Sequence, residues 1–81
     1  MRRYTVLLYP DPDGGYSVLV PAFGLLPTQG DTVEEALAMA KDAIEVAARG
    51  LVEDGEDVPD EDALPIVAAV AADVVEPAGA R

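Results

Sequence analysis

Residues 30–55 read GDTVEEALAMAKDAIEVAARGLVEDG, and this stretch decides the fold. Thr32 and Glu35 have the spacing of a capping box, in which the Thr hydroxyl accepts from the amide of Glu35 and the Glu carboxylate reaches back to the amide of Thr32. A helix therefore starts here. Val33, Leu37, Ala40, Ile44, Ala47 and Leu51 then recur at alternating steps of four and three, so they share one narrow face, with Glu34, Asp42, Glu45, Arg49 and Glu53 largely opposite. Met39, Ala43 and Val46 widen the apolar face on one flank. Gly55 offers the left-handed residue that commonly stops a helix, and Pro59 opposes resumption just beyond it. The helix so bounded has about 22 residues and a length of about 33 Å. Its apolar stripe has to lie on something that the rest of the chain supplies.

Upstream, residues 3–9 alternate Tyr4, Val6 and Leu8 against Thr5, Leu7 and Tyr9, which predicts a strand with much of both faces covered. Pro10-Asp11-Pro12-Asp13-Gly14-Gly15 concentrates turn formers, and Tyr16 to Val20 resumes the alternation, so the two strands form a hairpin. A third, poorer strand is expected from Leu25 to Gln29, at an edge or with a bulge because of Pro27. Downstream, Glu53 to Asp62 holds seven carboxylates in ten residues and no cation, which reads as a solvated loop. Ile66-Val67-Ala68-Ala69-Val70-Ala71 follows; its alanines suit a short buried helix and its Ile and Val suit a strand, and strand is the reading adopted. The expected fold class is α+β: two layers in β-β-β-α-β order, an antiparallel sheet packed on one long helix. One domain over residues 1–75 is expected, with 76–81 a frayed tail. The sheet's other face carries Leu7, Tyr9 and Leu19, too apolar to leave wet, so a second subunit is expected to cover it.

Composition narrows function further. The 81 residues contain no cysteine and no histidine, which removes disulfide frameworks, zinc fingers, thiol nucleophiles and imidazole bases together. Only five Lys and Arg are present against a formal charge of −11, so direct nucleic-acid binding through phosphates is not expected. An acidic surface steers toward basic partners and keeps a small protein soluble. The apolar run after Arg2 and Arg3 is short and closed by Pro10-Asp11 without a cleavage site, and no run approaches the roughly 18 residues of a membrane span. A cytoplasmic protein without membrane contact is expected.

The candidate chemistries weaken one by one. Asp11-x-Asp13-x-Gly15 resembles the start of a calcium loop, but Tyr16 and Ala22 stand where the loop needs glycine and a bidentate Glu. Turn formation accounts for it. A two-metal nuclease needs several acids converging from different elements, and residues 3–9 and 16–20 carry none. Thr5, Ser17 and Thr28 have no base to activate them. Glu34 and Glu35 already satisfy the dipole at the helix start and would repel phosphate. No catalytic residue, metal ligand or cofactor-binding residue is therefore expected.

Three motifs occur in order: Asp13-Gly14-Gly15-Tyr16 running into Val20-Pro21, then Thr28-Gln29-Gly30-Asp31-Thr32 leading into Glu34-Glu35-Ala36, then Glu53-Asp54-Gly55-Glu56 with Pro59. In that order and spacing, over residues 3–60, the chain resembles the HicB family of small bacterial and archaeal antitoxins. The resemblance implies a partial ribonuclease-H-like fold without the nuclease carboxylates. It also implies a protein that works by binding, capping a small basic HicA toxin of double-stranded-RNA-binding-like fold over its catalytic histidine and RNA path. Family members often carry a DNA-binding module after this domain for autorepression; here the sequence ends in alanine and proline at Arg81, and Gly24-Leu25-Leu26-Pro27 replaces the usual turn before the third strand. The expected partners are a HicA-like toxin and further copies of the chain, as a dimer or tetramer. A standalone HicB-like oligomeric scaffold or regulatory binder without a toxin is the alternative. For the partner surface, the candidates are Pro21, Phe23 and Leu25 as an apolar loop, and Glu53, Asp54, Glu56, Asp57 and Asp60 as an electrostatic one.

Overall fold

A computed structural model describes residues 1–24, 26–61 and 65–77. Strands β1 (Leu7–Pro10), β2 (Tyr16–Leu19) and β3 (Thr28–Gly30) are followed by a single helix, α1 (Val33–Glu53). The sheet is antiparallel in the order β1-β2-β3. This is the expected α+β arrangement of a three-stranded sheet and one long helix, with a short 3-10 turn at Pro21–Phe23 between β2 and β3.

The hairpin closes as its turn formers require. Asp11, Pro12, Asp13 and Gly14 form a β-turn in which the Gly14 amide donates to the Asp11 carbonyl at 3.0 Å, with Asp, Pro and Gly at the first, second and fourth positions that type I turns favour. The register pairs Leu8 with Val18 and Leu7 with Leu19. Ladder pairing stops there, short of the expected start at residue 3. Continuing the register would set Thr5 against Pro21, which has no amide to give and turns the chain away. Residues 4–6 nevertheless keep the alternation, since Tyr4, Val6 and Leu8 all pack against the core. The third strand begins at Thr28, later than the expected Leu25, because Pro27 cannot donate to the ladder. It lies at the sheet edge.

Helix α1 has 21 residues, close to expectation, and its ends show why. Thr32 Oγ1 accepts from the Glu35 amide at 3.0 Å, as the capping box predicts. The Glu35 carboxylate, however, takes the Asp31 amide at 2.8 Å in place of that of Thr32, tying the end of β3 to the first turn. At the far end the Gly55 amide donates to the Val52 carbonyl at 3.1 Å and the Glu56 amide to that of Leu51 at 2.8 Å, a Schellman motif around Asp54. Gly55 has φ 74°, the left-handed conformation that the motif needs.

The buried stripe on α1 differs from the expected one. Ala40 is buried as expected, but Ala36, outside the expected stripe, is buried with it against Val18 and Val20, whereas Val33 and Leu37 stay about half-exposed. Gly30 explains the rotation. A Cβ there would sit 2.4 Å from the Ala36 nitrogen and 2.6 Å from its Cα, so strand and helix backbones are in contact and only a small side chain fits at Ala36. Farther along, Ala43, Ile44, Ala47 and Leu51 are half-buried, as the sequence pattern predicts for that part of the stripe.

The expected final strand over Ile66–Ala71 is not formed, and neither is the helix that its alanines would allow. Every described residue from 65 to 77 is exposed and outside regular structure. The edge of β1 open to a further strand is only four residues long, and Pro10 at its end has no amide to donate. Among the described residues, the apolar run is covered by no part of its own chain. The element order is therefore β-β-β-α, with an extended apolar segment after it.

Candidate partner-binding surface

The two stretches singled out from sequence meet at one residue. Tyr4 sets its ring against Phe23, with centroids 5.1 Å apart in an edge-to-face arrangement, and its hydroxyl donates to the Pro59 carbonyl at 2.7 Å. Tyr4 thus joins the loop after β2 to the acidic segment after α1. An aromatic ring with one polar tip suits that position, since the ring packs on the core and the hydroxyl reaches the backbone beyond. Pro21 is exposed, Phe23 is half-buried behind Tyr4, and Leu25 lies outside the described residues.

Glu53 is the last residue of α1 and Asp54 its C-cap, and both are exposed, as are Glu56, Asp57 and Asp60. Asp62, the end of the acidic run, lies outside the described residues. The last turn of α1 has no basic residue. This placement runs against the helix dipole, whose carboxyl end carries about half a negative charge and favours cations by roughly 0.3–1 kcal/mol each. Carboxylates and dipole therefore add at this pole, and a basic partner would relieve both.

A second set of contacts, unread in the sequence, fixes this segment to the start of the chain. Arg2 Nη1 donates to the carbonyls of Val58 and Pro59 at 3.3 and 3.4 Å. The Thr5 hydroxyl donates to Glu61 Oε2 at 2.5 Å while the Thr5 amide takes Oε1. These two bonds, the hydroxyl's first and the amide's second, hold the Glu61 carboxyl below the usual Glu range. The Tyr4 hydroxyl and then the Asp60 charge hold the Arg2 guanidinium above its ordinary range. Partners separated by 56 positions leave no local signal; only the alternation that makes Thr5 face away from the core points to it.

Elsewhere the acids are dispersed. Asp11 accepts from the Ser17 hydroxyl at 3.0 Å across the hairpin, which is turn stabilisation. Among the described residues, no three acidic side chains converge where a cation would be held, and no helix is long and apolar enough to cross a membrane.

Residues 4–73 match the family described as HicB-like antitoxin of bacterial toxin-antitoxin system. An Antitoxin HicB 1 from Photorhabdus laumondii is 49% identical over 57 residues, covering 70% of this chain and 37% of the relative. The Antitoxin HicB of Escherichia coli K12 is 46% identical over 57 residues, covering 70% and 41%. A UPF0150 protein of Synechocystis is 41% identical over 62 residues, covering 76% and 78%. The match thus spans about two fifths of the length of these HicB antitoxins and most of the Synechocystis relative.

Proposed function

The chain belongs to the HicB-like antitoxin family, and from that premise we propose that it is a non-catalytic binding protein that neutralises a small basic HicA-like toxin by masking its RNA-binding and active surface. The observation that carries the reading is the acidic pole at the carboxyl end of α1. There Glu53, Asp54, Glu56, Asp57 and Asp60 stand exposed with no cation in the last helical turn, beside the Tyr4–Phe23 pair. Such a pole speeds encounter with a basic protein and fills the surface on which that protein would otherwise hold phosphates. Masking in place of catalysis is supported by the side chains: the sequence has no histidine or cysteine, and among the described residues no three acids converge where a cation would be held. It acts in the cytoplasm, through protein contacts and without touching nucleic acid itself, and it works as a homo-oligomer.

Charge reversal tests the pole. Replacing Glu56, Asp57 and Asp60 together by Lys should slow association with a basic HicA-like toxin by about tenfold or more at low salt. Stopped-flow mixing at two ionic strengths reads this directly; an on-rate that neither the variant nor salt changes would remove the pole from the mechanism.

A second reading draws on the relatives matched over most of their length, 78% for the Synechocystis protein and 88% for a UPF0150 protein of Thermoplasma acidophilum. A domain that exists at nearly this size in other organisms suits a standalone oligomeric scaffold or regulatory binder. A gene with no toxin beside it, and no rescue of cells expressing a HicA-like toxin, would favour that reading.

A further inference from the structure

Two apolar features of this chain are uncovered, and they match each other. The first is a groove of about 480 Å³ between the N-terminal residues and α1, lined by Tyr4, Val6, Leu37, Ile44 and Val58 and by two of the chain's five cations, Arg2 and Lys41. The second is the segment after the acidic loop, in which Ile66, Val67, Val70, Val74 and Val75 are 93%, 76%, 89%, 78% and 94% exposed. We infer that the groove of one copy receives the Ile66–Val75 segment of a second copy, so that two chains exchange C-terminal segments.

The fit has three parts. On α1 the groove extends from Leu37 to Ala48, about 17 Å at 1.5 Å per residue, and Ile66 to Ala71 in extended form also spans about 17 Å. Residues 63–72 carry no charge, so the segment brings no ionised group into a groove whose own Lys41 is already paired with Glu45 at 3.4 Å. Mutual exchange is also self-complementary, the form of contact that closes as a twofold dimer.

The course of the chain favours a second copy over the segment's own body. Val58 and Pro59 lie beside Arg2 and Glu61 lies beside Thr5, so residues 58–61 advance alongside residues 2–5 and leave the Met1–Val58 end of the groove behind. Every described residue from 65 to 77 is exposed, and the radius of gyration is 16.5 Å against about 12 Å for a compact chain of this length. A segment projecting from its own body is placed to enter another.

The inference rests on the homo-oligomer part of the proposed function and is independent of any toxin. The absence of native cysteine makes the test clean. Full-length L37C and V70C, one of them carrying a mass tag, are mixed and oxidised; the expected product is the mixed disulfide between chains, in excess over both homodisulfides. Leu37→Ser should weaken self-association by about tenfold or more, measured by sedimentation, while circular dichroism shows the body still folded because Leu37 is already half-exposed. Three results would overturn the exchange: a wild-type chain that stays monomeric at high micromolar concentration, mixed disulfides no more abundant than the two homodisulfides together, or a doubly substituted L37C/V70C chain that closes only on itself at a concentration where the wild type is dimeric. Raising salt should strengthen this contact by screening the −11 repulsion and weaken one with a basic protein, so failure of either reading leaves the other with its own readout.

Discussion

At the start of α1, Gly30, Ala36 and Ala40 let a strand and a helix approach until their backbones touch. About a sixth of a turn round the same helix, Val33 and Leu37 remain 46% and 47% exposed although each has more apolar area to bury. The contrast separates two uses of apolar surface. In the first region small residues maximise contact between rigid backbones, where close packing is strongest and least forgiving. In the second, larger side chains stand beside an open groove and contribute little until something covers them. Val18 and Val20 are the largest fully buried side chains, each worth about 2 kcal/mol. A body with so small an interior depends heavily on its tight region.

Breaking that region should therefore have the largest effect. Gly30→Ala drives a methyl into the Ala36 backbone and should destabilise the fold by about 3 kcal/mol, seen as a fall of roughly 12–24 °C in the thermal midpoint. If the midpoint moves by only a few degrees, the close approach does not hold the body together. Thr32→Ala removes the hydroxyl that accepts from Glu35 and should cost about 1 kcal/mol, read by urea titration. A loss close to that of Gly30→Ala would mean that capping, and not the glycine contact, dominates this end of α1.

Acid gives the mildest perturbation and acts on the tie between the N-terminal residues and the segment after α1. Glu61 titrates below its ordinary value of 4.5 because Thr5 donates to the ionised carboxylate. A depressed folded value means that the stabilising contribution is complete above 4.5 and is lost as pH falls through the folded value. Hydrogen exchange at the Thr5 amide should accelerate as pH falls through the folded value, relative to the intrinsic exchange rate, while amides of α1 keep their protection. Equal loss of protection in both places would show that the latch and the helix are one cooperative unit.

What the sequence revealed about this contrast depends on range. The Thr32–Glu35 cap and the Gly55 stop involve neighbours within a few residues, and both formed as their spacing predicts. The position of the buried line on α1 was not legible, because Val33 and Leu37 continue the apolar repeat as well as Ala36 does in hydropathy. Only a backbone contact made through Gly30 selects the smaller residues. Proline effects on the ladder were half-legible: Pro27 flagged an edge, while the early end of the β1–β2 pairing follows from Pro21 facing Thr5, which needs the register. Around the candidate surface, the acidic run was visible as composition, but its tie to Arg2, Tyr4 and Thr5 joins positions more than fifty residues apart. The apolar run after Pro65 shows a further limit. Composition says that Ile66, Val67 and Val70 are fit to be covered, without saying whose surface covers them.

The Glu61 carboxylate has one more effect, through its position on Thr5. The β1–β2 register turns the Thr5 amide toward Pro21, whose carbonyl is already taken by the Gly24 amide at 3.0 Å, and Glu61 supplies the acceptor in its place. That acceptor stands 56 positions further along the sequence. The open end of the hairpin is therefore sealed late, by a residue that leaves the ribosome only after the whole of α1.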